Sequence, residues 1–190
     1  LVALFEPPAL GDGLHADRRV ELLDEAPRLA ALVLGQGRHL AEIAVGVREF
    51  ASLNPKAIYQ DPITVDDVLA SRMIADPLHL LDCCAITDGG GAFIMTTAER
   101  ARDLAQPPVY VLGAAGGQTH WNVSQQTDFT SSAGATVGPI AFAQAGVTHD
   151  DVDLLMFYDS FTITCLILLE SLGFVPRGEG GPFVAEGHLK

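Results

Sequence analysis

Residues 152–157, Val152-Asp153-Leu154-Leu155-Met156-Phe157, run straight into Tyr158-Asp159-Ser160-Phe161-Thr162 and then into a second apolar stretch that stops at Gly173. Nothing else in the chain limits its fold as much. The apolar run 154–157 is too short for a helix and too continuous for a strand with one wet face, so it predicts a strand covered on both faces. Ile163, Leu166, Ile167, Leu169 and Leu172 then fall at helical spacing, and Gly173 supplies a stop. Asp159 or Ser160 is placed to cap that helix. A phenol and a carboxylate thus arrive together at a helix start, where unpaired N–H groups favour negative charge on a ligand or a neighbouring side chain.

The rest of the chain alternates in the same way. Over 39–53, Leu40, Ile43, Ala44, Val47, Phe50 and Ala51 form one helical stripe, ended by Asn54-Pro55. Thr64-Val65-Asp66-Asp67 reads as an N-cap followed by first-turn acids, opening a short helix through Met73. Asp88-Gly89-Gly90-Gly91 suits a tight turn needing positive φ. It leads to a buried strand over 92–96, after which Thr96-Thr97-Ala98-Glu99 has the form of a capping box. Pro107-Pro108 introduces a strand over 109–112. The polar stretch 113–134 is long enough to be a functional loop, and a helix over 139–145 precedes the strand at 152–157. Such alternation predicts an α/β fold, a mixed sheet covered by helices on both faces. Residues 1–34 fit this pattern least. Pro7-Pro8 and Gly11-Asp12-Gly13 break structure and Pro27 cuts a helix-like stretch over 17–34, so they form an unassigned leader.

Composition removes several function classes. With 190 residues, 48% of them hydrophobic, the chain can bury a core and is not a disordered tail. Its net charge of −13 opposes phosphate backbones and anionic membranes, so nucleic acid is not an expected partner and an anionic coenzyme would need a local N–H-rich or basic site. Three cysteines without a C-x-x-C, and scattered histidines, make neither a disulfide framework nor a metal site. A reducing cytoplasm is the simplest setting. The longest apolar run, 163–169, is too short to span a bilayer. A chain that starts at Leu1, not Met, suggests a fragment or a leader that it does not include.

Tyr158 and Asp159 are the candidate catalytic pair. The plain alternative for Tyr158 is a sheet-edge tyrosine whose hydroxyl meets a backbone partner. For a phenol to act as a base near pH 7, its ionisation must be favoured by roughly 4 kcal/mol. A helix N-terminus supplies roughly 0.3–2 kcal/mol and a neighbouring carboxylate works against it. A hydrogen-bond donor or acid role carries no such cost. Gly113-Ala114-Ala115-Gly116-Gly117 lacks the spacing of a dinucleotide loop and reads as a plain loop. Cys83, Cys84 and Cys165 read as buried apolar thiols.

Four stretches in order resemble the thiolase superfamily. Tyr158-Asp159-Ser160-Phe161-Thr162 is similar to its Asn-Glu-Ala-Phe or His-Asp-Cys-Phe element, in the tyrosine form of lipid-transfer-protein (sterol carrier protein X-type) thiolases and steroid side-chain aldolases. Asp76-Pro77-Leu78-His79-Leu80-Leu81-Asp82-Cys83-Cys84 with Thr87-Asp88-Gly89-Gly90-Gly91-Ala92 resembles the entrance to its C-terminal domain. Ala135-Thr136-Val137-Gly138-Pro139-Ile140 with Ala145-Gly146-Val147 resembles its Gly-Pro helix, and Gly178-Glu179-Gly180-Gly181-Pro182-Phe183 its loop after the catalytic helix.

The resemblance covers roughly residues 36–190 and implies an incomplete C-terminal half of a thiolase-like fold. Residues 35–82 would be a helical remnant of the loop region and 83–190 the C-terminal domain, truncated at its end. It implies carbon–carbon bond making or breaking next to a CoA thioester, favouring retro-aldol cleavage of a β-hydroxyacyl-CoA such as a steroid side chain. Thiolytic acyl transfer and an inactive fragment or structural subunit are the alternatives. Tyr158 would handle the β-hydroxyl proton, and His120 and Trp121 would lie near the acyl pocket, an aromatic wall for a polycyclic substrate. No bound cofactor is implied, coenzyme A entering with the substrate. Homodimers, in some members joined by a small OB-fold partner, are the expected assembly. The nucleophilic cysteine and the later catalytic loops of thiolases proper are not identifiable, so thiolysis by this chain alone is not expected.

Overall fold

The computed structural model describes residues 37–189. The leader 1–34 lies outside them. Helix α1 (Gly37–Leu53) runs through the centre of the packing, against α2 (Val65–Ala70), α5 (Thr162–Ser171) and α6 (Gly180–Ala185). Its buried residues are Leu40, Ala41, Ile43, Val45 and Gly46. The expected stripe is therefore met only in its first half. Val47, Phe50 and Leu53 are exposed because the partner helices reach only its N-terminal turns.

Two core clusters follow from this. Leu40 and Ile43 join Cys165, Leu166, Leu169, Val175 and Val184, while Ala41 and Val45 pack on Val68. Burying a Leu or Val fully is worth about 1.5–3 kcal/mol each, so Leu40, Leu166, Leu169 and Val184 anchor three helices to one another. Helix α2 starts as its sequence suggests. Thr64 Oγ1 accepts from the Asp67 N–H at 3.2 Å, and Asp67 Oδ2 accepts from the Thr64 N–H at 2.8 Å. The helix ends at Ala70, short of Met73, which enters β1 (Met73–Ala75). That strand pairs antiparallel with β2 (Leu78–His79).

The three longer expected strands take another form. Among the described residues β1 and β2 make the only sheet, and segments 92–96, 109–112 and 152–157 have no strand partner. Extended backbone needs a neighbour for its N–H and C=O groups, and none of the three finds one between residues 37 and 189. Residues 152–157 are covered on one face only. Leu155 and Phe157 pack against the first core cluster, whereas Leu154 and Met156 are exposed, Met156 by 89%. Phe93, Ile94, Met95, Val109 and Val111 are also exposed. Gly89, Gly90 and Gly91 have no positive φ, so the tight turn expected there is absent. Between the first two of these segments lies α3 (Ala98–Arg102), whose cap is Thr97, accepting from the Arg100 N–H, and not Thr96.

Helix α4 (Gly134–Ala145) begins earlier than residue 139 and carries Pro139 inside it. It ends at Gly146, left-handed at φ 67°. Gly134 and Gly138, one turn apart, face Leu172, where a Cβ at Gly138 would come within 2.9 Å of Leu172 Cδ2. The loop after 109–112 also lies against α4. A Cβ at Gly117 would approach Val137 Cγ1 at 2.8 Å, and the Ala114 N–H donates to Gln144 Oε1 at 3.1 Å. At its far end the ring of His149 lies between Phe142 (4.4 Å) and Phe174 (4.9 Å), with Nε2 2.8 Å from the Leu172 carbonyl oxygen. No helix among the described residues is long and apolar enough to cross a membrane.

Candidate active site

Helix α5 starts at Thr162 with Phe161 as its N-cap, a residue whose side chain makes no capping bond. Neither Asp159 nor Ser160 caps it, contrary to the sequence expectation. The reason is competition for the same groups. Ser160 Oγ is 3.0 Å from Thr164 Oγ1, and the Ser160 carbonyl accepts from the Cys84 N–H at 3.1 Å. Cys83 and Phe161 form an antiparallel bridge, and Thr162 Oγ1 donates to Asp82 Oδ1 at 2.9 Å. The segment 82–84 therefore lies beside 160–162 and fixes the helix start.

Tyr158 stands four residues before Thr162, 78% exposed, and its hydroxyl has no hydrogen-bond partner among the described residues. Asp159 is exposed too, and its charge reaches Cys165. Burial, with Asp159 adding to it, pushes the Cys165 thiol up to about 11, which makes it a core thiol and not a nucleophile. Burial, then Asp82 and Cys84, raise the Cys83 thiol as well. Cys84, expected to be buried, is exposed.

His120 and Trp121 sit in the loop 113–134. Thr119 Oγ1 is 2.9 Å from His120 Nδ1, and the Trp121 N–H donates to Gln125 Oε1 at 3.0 Å. His120 is half-buried and Trp121 is 79% exposed. No hydrogen bond, ion pair or ring contact among the described residues joins either side chain to Tyr158 or Asp159.

Further along, the same loop is held by a cluster the sequence did not reveal. Asp128 Oδ1 accepts from the Thr130 N–H at 2.9 Å and from the Thr130 hydroxyl at 2.6 Å. Arg177 donates to Asp128 Oδ2 at 2.7 Å and to Thr130 Oγ1. Desolvation works to raise the Asp128 carboxyl, but the Thr130 bonds and Arg177 outweigh it and hold it below the usual range. Asp82 was likewise missed, since a lone Asp in Leu80-Leu81-Asp82-Cys83 carries no local signal of burial. Among the described residues no group of His, Cys, Asp and Glu is arranged to hold a metal.

The fold is thiolase-like. Residues 115–190 match the family described as thiolase C-terminal domain-like. Over most of its length the chain is similar to thiolases and to a steroid side-chain-cleaving aldolase. It is 43% identical over 156 residues to a steroid side-chain-cleaving aldolase of Thermomonospora curvata, a match covering 78% of this chain and 39% of that protein. An acetyl-CoA acetyltransferase of Methanothermobacter thermautotrophicus is 39% identical over 149 residues, with the same two shares. Among solved structures, the Ltp2-ChsH2(DUF35) aldolase superposes with a TM-score of 0.78 at 37% identity, over 94% of this chain and 48% of that one. The chain thus spans less than half the length of these relatives.

Proposed function

We propose that residues 158–162 form one wall of an active site that cleaves a carbon–carbon bond next to a CoA thioester by retro-aldol chemistry. The observation that carries this reading is Tyr158, an exposed phenol next to a segment pinned in place at Ser160 and Thr162. The aldolases among the similar proteins support it, and an acetyltransferase among them keeps thiolytic acyl transfer as the second reading.

In the proposed step the substrate is a β-hydroxyacyl-CoA, a steroid side chain being the example the aldolase relative suggests. The β-hydroxyl proton passes to the Tyr158 oxygen while the bond between Cα and Cβ breaks. Cβ becomes a carbonyl carbon, and the electron pair of the broken bond goes to Cα, which takes a hydrogen in the same step. Tyr158 gives its own hydrogen to Cα, so the phenol is never a free phenolate and its ionisation cost does not arise. Asp159 orients that exchange, and His120 and Trp121 lie along the acyl group. Coenzyme A enters as part of the substrate.

The assembly we propose is a homodimer joined by a small OB-fold subunit. The two components in the name Ltp2-ChsH2(DUF35) aldolase support a partner of some kind. A cytoplasmic setting belongs to the same reading. The test is Tyr158→Phe in the assembled enzyme, followed by release of the carbonyl product from a β-hydroxyacyl-CoA. A loss of about 100-fold or more in turnover is expected, the usual scale for a positioned proton donor. Unchanged turnover removes Tyr158 from the mechanism, and a CoA-dependent cleavage with a covalent acyl intermediate replaces the retro-aldol reading with the thiolytic one.

A further inference from the structure

Asp82 is the one buried charged side chain among the described residues, 4% exposed, and both of its oxygens are engaged. Oδ1 accepts from the Thr162 hydroxyl at 2.9 Å and Oδ2 from the His79 N–H at 2.9 Å. His79 Nδ1 lies 3.8 Å from Oδ2, buried and without a hydrogen bond of its own. Thr162 is itself buried. Beside this pair run the Cys83–Phe161 bridge and the bond from the Cys84 N–H to the Ser160 carbonyl at 3.1 Å. Three consecutive residues on each side are thereby joined, the outermost pair across a sequence separation of 80.

Two start points compete for helix α5. Asp159 and Ser160 are strong N-cap residues, and left to local preference the helix would begin at or before Phe161. The observed start uses Phe161, which is in the extended region at φ −147° and ψ 156° and caps nothing with its side chain. A tertiary contact must make that start the better one, and of the three contacts between 82–84 and 160–162 the one made by two buried side chains is Asp82 with Thr162. We infer that Asp82 is a positioning residue. By holding the Thr162 hydroxyl it sets where α5 begins, which keeps Tyr158 and Asp159 out of the helix and turned outward.

A caged carboxylate suits this task better than a neutral side chain, because it accepts from the hydroxyl and the His79 N–H at once and cannot be replaced by water in a closed site. The consequence for turnover rests on Tyr158 acting as proposed above, whereas the positioning itself does not. The experiment compares the 190-residue chain with Thr162→Val, Thr162→Ser and Asp82→Asn. It reads amide hydrogen exchange at Cys84 and residues 160–163, together with the carbon-13 resonance of the Tyr158 ring. Thr162→Val keeps the shape and removes the hydroxyl. It is expected to speed Cys84 exchange about tenfold, as for loss of a buried hydrogen bond, and to move the Tyr158 resonance. Thr162→Ser restores both.

Wild-type exchange and an unmoved Tyr158 resonance in Thr162→Val overturn the inference, as does a folded Thr162→Ser that behaves like the valine variant. Should Thr162→Val fail to fold, Asp82→Asn decides through the same amide, unchanged exchange counting against. None of these readouts requires turnover. If Tyr158→Phe keeps full activity while Cys84 exchange responds, the catalytic reading alone falls; the reverse result removes only the positioning.

Discussion

Gly113 lies where the loop after residues 109–112 meets helix α4, and replacing it with alanine tests that contact. A Cβ at this position would sit inside contact distance of the Ala141 carbonyl oxygen, 2.9 Å from the Ala145 nitrogen and 3.2 Å from Ala145 Cβ. Two of the three obstacles are helix backbone, which cannot rotate aside. The loop must lift instead. Overpacking of this kind costs about 1–3 kcal/mol. Lifting also loosens the bond from the Ala114 N–H to Gln144, worth about 0.5–1.5 kcal/mol. Alanine restricts the unfolded chain and returns about 0.4–1 kcal/mol. The net destabilisation is about 0.5–4 kcal/mol, read as a lower urea midpoint by circular dichroism, or about 2–4 °C in Tm per kcal/mol at this chain length. Gly117→Ala meets one side-chain carbon, Val137 Cγ1, and no backbone, so its cost should stay below that of Gly113→Ala. Gly89→Ala meets nothing within 4 Å and should be neutral or slightly stabilising. If Gly113→Ala melts with Gly89→Ala, the loop does not pack on α4 as described.

Cys165 gives stability an alkaline limit. Its thiol is raised to about 11 in the folded chain against 9.0 when free, so the folded state keeps its proton longer. Stability attached to this group is complete below about pH 9 and is lost as pH rises towards 11. Urea midpoints measured across that window should decline less steeply in Cys165→Ala, and parallel slopes would refute the assignment. Substitutions in residues 152–157 should alternate in effect. Met156→Lys is expected to change stability by no more than about 0.5 kcal/mol and to lower binding of a hydrophobic dye, whereas Phe157→Ala should cost about 2 kcal/mol. A larger loss at Met156 than at Phe157 in chemical denaturation would reverse the assigned face.

What could be read from the sequence was what depends on neighbours along the chain. The Thr64 and Asp67 capping pair, the helix over 39–53 and the stop at Gly173, left-handed at φ 82°, rest on contacts a few residues apart. What could not be read depends on partners far away. Residues 92–96 and 109–112 have strand composition, but a strand also needs a paired neighbour, and composition does not say whether one is present. Asp159 and Ser160 look like caps until Cys84 and Asp82 claim the groups around them. The Asp128, Thr130 and Arg177 cluster joins positions 49 residues apart that no motif connects. Tyr158 was legible as a candidate because it ends an apolar run, and its exposure was not, because that follows from where helix α5 starts.

The ring of His149 joins the end of α4 to the end of α5, and its partner decides which ring nitrogen carries the hydrogen. A backbone carbonyl can only accept, so the hydrogen must reside on Nε2, facing Leu172. The neutral ring is thereby fixed in one tautomer. Its flanks are held by the Phe142 and Phe174 rings, one from α4 and one just past the end of α5. One hydrogen bond and two ring contacts thus make this side chain a hinge pin, through which a shift at the end of either helix must pass to the other.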